Sequence, residues 1–448
     1  MSTPASWSPS SRHPLPWQAG AAYGLMGFPL AFAALPLYVV LPNHYVRHFG
    51  LSLATVGLLL MAVRMLDAVF EPWLGRASDA LYARGTSLVL LVAVGTAVLH
   101  GIGMGALFFP AVQDEVGLSI WLLVGLLLTC MAHSVMLITH QAWGVQLGGD
   151  EALRSRIVAW REGLGLAGVI TASALSVVWG AHAMLAVLTA ALCVGCCAWW
   201  RAPRPVLLAS QRGQPSKSTV LSQPQMQPLM HPLTQPAFRR LLAVFMCNGI
   251  ASAIPAALML FFAKDCLQAT DQQTAVFLVL YFVCAAASMP LWLRLVHRCG
   301  LAWSWLLGMV LAVVCFIGTA GLQAGQQQAF ALICALTGVA LGADLVMPGA
   351  MLARLIEHQG AQGRHDGAYL GWWSLATKLN LALAAGAALP CLQWLGYVPG
   401  SQDPVALQHL AWAYALLPCL LKLLAAVLLY VFLIRTRSLP SIKTRSPS

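Results

Sequence analysis

Charge is what this sequence has least of. Aspartate, glutamate, lysine and arginine together make up 9% of its 448 residues, against about 25% in an ordinary soluble domain, so most of the folded surface is not made for water. Globular stretches are missing as well. Outside the two ends and one central connector no segment has the mixed composition of a soluble domain, which excludes the several domains this length would otherwise suggest. Clusters of basic residues with interleaved aromatics are absent, so the net charge of +11 does not point to nucleic acid. No phosphate-cradling glycine loop with its lysine, no nucleophile elbow and no HExxH pair occurs, and the chain is not expected to be an enzyme. No short apolar stretch followed by a small-residue cleavage site opens the chain, so its first apolar run is expected to remain as an anchor. The twelve cysteines lie mostly inside apolar runs, which suits packing better than a disulfide framework. Even the tightest group, Cys193, Cys196 and Cys197, would need thiolates in hydrocarbon to hold a metal.

What the sequence has in quantity is hydrocarbon: 59% of its residues are hydrophobic. A helix needs about 20 apolar residues to cross a bilayer. That length picks out spans near 20–42, 51–73, 87–109, 118–141, 157–179 and 182–200, then near 241–263, 274–294, 302–322, 329–350, 368–391 and 408–434. Between the two sets lies a Pro-, Gln- and Ser-rich basic segment that reads as a connector. The sequence therefore predicts an all-α integral membrane protein of twelve transmembrane helices in two six-helix halves. Its parts are a disordered cytoplasmic tail at 1–18, an N-terminal half at 19–200, a cytoplasmic connector at 201–240, a C-terminal half at 241–434 and a cytoplasmic tail at 435–448.

The basic residues support that topology. With the N-terminus in the cytoplasm, only Arg47 and Lys264 of the 25 lysines and arginines fall outside, three fall within spans and the remaining twenty fall inside. This is the asymmetry of the positive-inside rule. It predicts a multi-pass protein with both termini cytoplasmic, expected in a bacterial inner membrane.

The three basic residues within spans are Arg64, Lys378 and Lys422, and two acids join the first of them. Arg64, Asp67 and Glu71 are spaced i, i+3 and i+7, so they share one face of the second span. Each would cost on the order of 3 kcal/mol facing lipid, which places them against protein or a watered cavity. A purely structural ion-pair cluster gains little over apolar packing. Two neighbouring carboxylates, by contrast, can hold a hard cation with oxygen ligands or share a proton. Asp67 and Glu71 are therefore the candidate cation site, with Arg64 as regulator of their charge and Lys378, on span eleven, as the partner expected across the cavity. No other metal site is expected, Na+ at Asp67 and Glu71 being the single candidate. Lys422 has no identifiable partner in the sequence and reads equally as snorkelling to the interface. Weaker signals are His133 and His140 in span four, the Arg161–Glu162 neighbours at the start of span five, and Asp344 among Gly342, Ala343 and Pro348 in span ten. Tyr23, Thr139, His140, Trp143, Trp373 and Thr377 are the candidate substrate-cavity residues.

Six spans, a basic connector and six more resemble the major facilitator architecture, in which two halves enclose a substrate at mid-depth. The residues narrow that resemblance. Arg64-Met-Leu-Asp67-Ala-Val-Phe-Glu71-Pro72-Trp-Leu-Gly75, followed by Ser78-Asp79, is similar to the R-x-x-D-A-x-x-D-P-x-x-G motif of the glycoside-pentoside-hexuronide cation symporters, the melibiose-permease-like family, with Glu71 in place of the second Asp. Gly342 to Met351 and Gly367 to Gly386 resemble the family's tenth and eleventh helices, and Lys378 falls on its functional lysine. Trp143 to Glu162 is similar to its fourth helix and following loop. The resemblance implies that Asp67 and Glu71 bind the cation. The family's sugar-contacting acids fall on Ala31 and near Thr139, and its threonine cation ligand falls on Met136. Those departures argue against a melibiose-like disaccharide and tilt the coupling ion toward protons.

The expected function is a secondary active transporter: H+- or Na+-coupled symport of a small organic solute, a sugar or glycoside among the candidates, by alternating access. No cofactor, nucleic acid or protein partner is implied; the partners are the solute and the bilayer. Two rivals share these observations, a transporter of lipids, amphipathic solutes or drugs with the same fold, and a non-transporting membrane sensor or enzyme.

Overall fold

The computed structural model describes residues 16–178, 180–205, 230–359, 365–394, 396–397 and 402–435. Most of both expected tails and of the expected connector thus lies outside the described residues, although α-helix already begins at Trp17 within the first expected tail; all regular structure among the described residues is helical.

A helix occupies the place of each expected span. The first is broken: α1 (Trp17–Gly24), α2 (Gly27–Phe32), a wider π-type turn (Pro36–Val40) and α3 (Leu41–Phe49) follow one another. Pro29, Pro36 and Pro42 explain the interruptions, because each ring removes a backbone donor from the ladder. Then come α4 (Leu53–Arg84), α5 (Thr86–Phe108), α6 (Glu115–Gln146), α7 (Glu151–Val178) and α8 (Gly180–Arg201). A single turn, α9 (His231–Thr234), leads into α10 (Pro236–Phe261). The remaining helices are α11 (Asp271–Phe316), α12 (Gln327–His358), α13 (Asp366–Trp394) and α14 (Pro404–Leu429). Seven helical stretches among the described residues are long and apolar enough to cross a membrane by length and composition alone.

Where the sequence expects a loop between spans eight and nine, the chain stays helical on both sides of one residue. Gly300, at φ 81°, turns it inside α11, a conformation that glycine adopts without the clash of a side chain. The helix starts are otherwise conventional. Ser52 accepts a hydrogen bond from the Thr55 amide, Asp114 from that of Gly117 and Asp403 from those of Val405 and Ala406, while Thr270 and Gln273 form a reciprocal capping box. Each satisfies amides that a helix start leaves open.

By packing, the chain divides into two units, Met1–His231 with Ile356–Leu375, and Pro232–Leu355 with Ala376–Ser448. In the first, α5 and α4 pack on α6, and α1 and α2 lie against α7. The approach to α7 is close because glycines permit it: a Cβ on Gly24 or Gly27 would meet the Trp160 or Arg161 carbonyl, and one on Gly168 would meet that of Phe28. Small residues at helix contacts are how membrane bundles gain dispersion contact without a hydrophobic driving force. In the second unit α10 and α11 pack on α14, around a core in which Phe262 and Tyr414 stack at 4.3 Å and Phe330 closes on both. The outer face of α4 leaves Leu58, Met61, Met65, Phe70 and Trp73 exposed, apolar area that lipid, not water, accommodates.

A buried acidic face and a buried ion pair

The first unit builds its site on α4. Asp67 is 2% exposed and Glu71 0%; one turn apart, they face inward while Leu66, Val69 and Phe70 beside them face out. Asp67 accepts a hydrogen bond of 2.9 Å from the Ser134 hydroxyl on α6. Arg64, one turn earlier, is half-buried. Two carboxylates and one guanidinium thus share this face of α4.

The same helix is pressed against the start of α13. Gly75 and Gly367 touch backbone to backbone, a Cβ on either running into the other's carbonyl oxygen, and a Cβ on Gly371 would meet the carbonyl of Glu71 itself. Four residues beyond Gly75, Asp79 accepts hydrogen bonds from the Gly367 and Ala368 amides at 2.6 and 2.9 Å. It thus caps α13 from another helix, where the amides and the helix dipole favour a carboxylate. Arg154 adds an ion pair to Glu357 in this unit, and Arg161 one to Glu162 at 2.5 Å.

The candidate cavity residues of the first unit form a packed aromatic group. Tyr23 and His140 stack at 4.3 Å and are joined twice: the Tyr23 hydroxyl donates to the His140 carbonyl at 3.1 Å, and His140 Nε2 lies 2.8 Å from the Tyr23 carbonyl. His140 meets the edge of Trp199, and so does Trp143, whose indole N–H donates to the Pro203 carbonyl at 2.9 Å. Thr139 is equally buried; its hydroxyl donates to the Val135 carbonyl and its own carbonyl accepts from Tyr82. All four are at most 1% exposed. Trp373 is buried in the first unit, whereas Thr377 is exposed and Lys378 half-buried in the second.

The second unit holds an arrangement that sequence reasoning missed. Lys422 is 8% exposed and does not snorkel; its Nζ forms an ion pair of 2.7 Å with Asp344 Oδ2 and donates to the Ser252 hydroxyl at 2.9 Å. The other oxygen of Asp344 accepts from Asn248 Nδ2 at 3.1 Å and Trp305 Nε1 at 2.9 Å. Burying two charges requires this kind of geometry, with hydrogen bonds on what remains of each. Four helices, α10, α11, α12 and α14, contribute to it, so no spacing in the sequence announces it. Around Asp344, α12 runs on through Pro348 without a break.

Helices of membrane length, in this order and with buried charge in both units, are those of a polytopic membrane protein. Three solved structures match nearly the whole chain. A bacterial homologue of the iron transporter ferroportin in an outward-facing state superposes with a TM-score of 0.69 at 15% identity, covering 92% of this chain and 99% of that one. The proton:xylose symporter XylE, bound to 6-bromo-6-deoxy-D-glucose, superposes with a TM-score of 0.62 at 15% identity, covering 93% and 94%. The Escherichia coli fucose:proton symporter FucP, in a single-substitution variant, superposes with a TM-score of 0.62 at 13% identity, covering 93% and 98%. The fold is the major facilitator fold. No curated protein matches the sequence. Residues 20–436 match the model of the MFS/sugar transport protein family, and the chain belongs to that family: a multi-pass membrane transporter, not an enzyme.

Proposed function

We propose that this transporter is a cation-coupled symporter of a small organic solute, close to the glycoside-pentoside-hexuronide branch of its superfamily and set in a bacterial inner membrane with both termini cytoplasmic. The observation that carries this reading is the pair of fully buried carboxylates one turn apart on α4, Asp67 and Glu71, with a serine hydroxyl already on one of them. Such a set supplies hard oxygen ligands for Na+ or a shared site for a proton. Arg64 on the same face regulates the charge, and Lys378 is the basic partner that answers it when the cation leaves. Alternating access follows if the cation and solute must both be bound, or both absent, before the protein changes state.

The test is uptake of labelled pentoses, hexoses and glycosides into proteoliposomes under an imposed proton or sodium gradient. Asp67→Asn and Glu71→Gln should each abolish accumulation against the gradient while facilitated exchange continues; accumulation at the wild-type level in both variants removes these residues from the coupling. One observation favours a second reading, in which the solute is amphipathic: the cavity of the second unit is walled mainly by apolar side chains.

A further inference from the structure

We propose that this cavity is a binding site for an organic anion with an apolar body, which takes its carboxylate to Lys422. The inference goes beyond the coupling role of Asp67 and Glu71 and does not depend on it.

The cavity has a volume of about 390 Å³ and lies wholly inside the second unit. Phe277, Phe282 and Phe316 contribute to its apolar wall, while Ser252, Asp344 and Lys422 bring polar groups to it. A bare sugar needs paired acceptors and donors around each hydroxyl, and these walls do not supply them. An apolar body with one polar head fits the general design of small-molecule sites, a mostly apolar pocket with a few convergent polar groups.

The sign of the head follows from hydrogen-bond accounting. Asp344 is already served by three donors, Asn248, Trp305 and Lys422, and would keep two of them if Lys422 turned away. Lys422 has three N–H bonds to give, and Asp344 and Ser252 take two. The spare capacity in the cavity wall is thus a donor on a flexible stem, beside an acid that is pinned in place; the unmet acceptor nearby, Asn248 Oδ1, belongs to a residue that does not line the cavity. A ligand that brings an acceptor completes this set, and a carboxylate makes the strongest such bond.

Calorimetry on the full chain in detergent tests this with three ligands of one ring system: 2-naphthoate, 2-naphthamide and 2-naphthylmethylammonium. The anion should bind saturably and at least about tenfold more tightly than the other two, as expected for a hydrogen bond to a charged donor. Lys422→Gln should lose the preference for the anion. Because Lys422→Gln risks misfolding, Ala256→Phe, which fills the cavity and leaves both charges in place, should independently abolish binding. Laurate in the same assay separates two sources of the one chemistry: tighter binding than naphthoate points to acyl chains from the bilayer, weaker binding to compact acids from solution. Equal affinity for the three ring ligands, tighter binding of the ammonium, no saturable binding, or full binding to Ala256→Phe overturns the proposal. None of these outcomes bears on the uptake test of Asp67 and Glu71.

Discussion

The two units hold their buried acids in opposite ways. In the first, Asp67 and Glu71 stand on one helix with Arg64 on the same face, so the local charge does not cancel within the motif. In the second, Asp344 meets Lys422 at 2.7 Å across a sequence separation of 78 residues, with Asn248 and Trp305 on its free oxygen, and the charges cancel. In the proposed function the first set takes up and releases the cation. A closed, neutral pair is suited to holding an architecture until something of matching charge opens it.

That contrast is broken most forcefully at Lys422. Lys422→Met leaves Asp344 buried without its basic partner, and removing one partner of a buried pair costs about 3–5 kcal/mol. The double variant Asp344→Asn, Lys422→Met removes both charges and should recover most of this loss. Equilibrium unfolding in detergent measures both. If the single and double variants are equally unstable, the cost lies in lost packing and the pair is not a closed neutral unit.

The same contrast explains what is legible in the sequence. The spans are, because a helix that crosses a bilayer must be apolar for about 20 residues whatever it packs against. The cluster on α4 is, because i, i+3 and i+7 on one helix is a purely local pattern and charge in hydrocarbon has a known cost. The Asp344–Lys422 pair is not. Its four helices meet only in the folded chain, and Lys422 alone looks like any lysine near a membrane interface. Ser134 escapes notice for the same reason: a serine in an apolar helix is commonplace until the acid opposite it is known. The break at Gly300 reads as a loop, since the sequence does not distinguish a single left-handed glycine between two helices from a short connection. Tyr23, His140 and Trp143 stand out by residue type, but the stacking of Tyr23 on His140 and the edge-on contacts of His140 and Trp143 with Trp199 are not legible, the first joining positions more than a hundred apart.

A medium effect should sharpen the account of the first unit. Gly367→Ala places a methyl group against the Gly75 carbonyl, backbone that cannot swing aside, and overpacking of that sort costs about 1–3 kcal/mol. Gly57→Ala on the same α4 is the control. Nothing lies within 4 Å of a Cβ there, so the change should be neutral or raise stability by up to about 1 kcal/mol through helix propensity. Thermal unfolding of the two variants should move in opposite directions. Equal shifts would mean that the contact between α4 and the start of α13 carries no weight.

The smallest effect is expected at Arg154 and Glu357, one of the first unit's own ion pairs. It resembles Asp344–Lys422 in having a buried member, with the Arg154 side chain 3% exposed, but the Glu357 side chain is 44% exposed. A carboxylate that keeps much of its water has lost little solvation, so it also gains little from the pair, and exposed pairs contribute at most about 1 kcal/mol. Glu357→Gln keeps an acceptor for Arg154 and should lower stability by less than that, with the deficit shrinking as salt is raised. Asp344→Asn should cost several times more and respond little to salt, because its charge is out of reach of the screening ions. Similar losses and similar salt dependence at the two positions would show that burial of both partners is not what separates the two units.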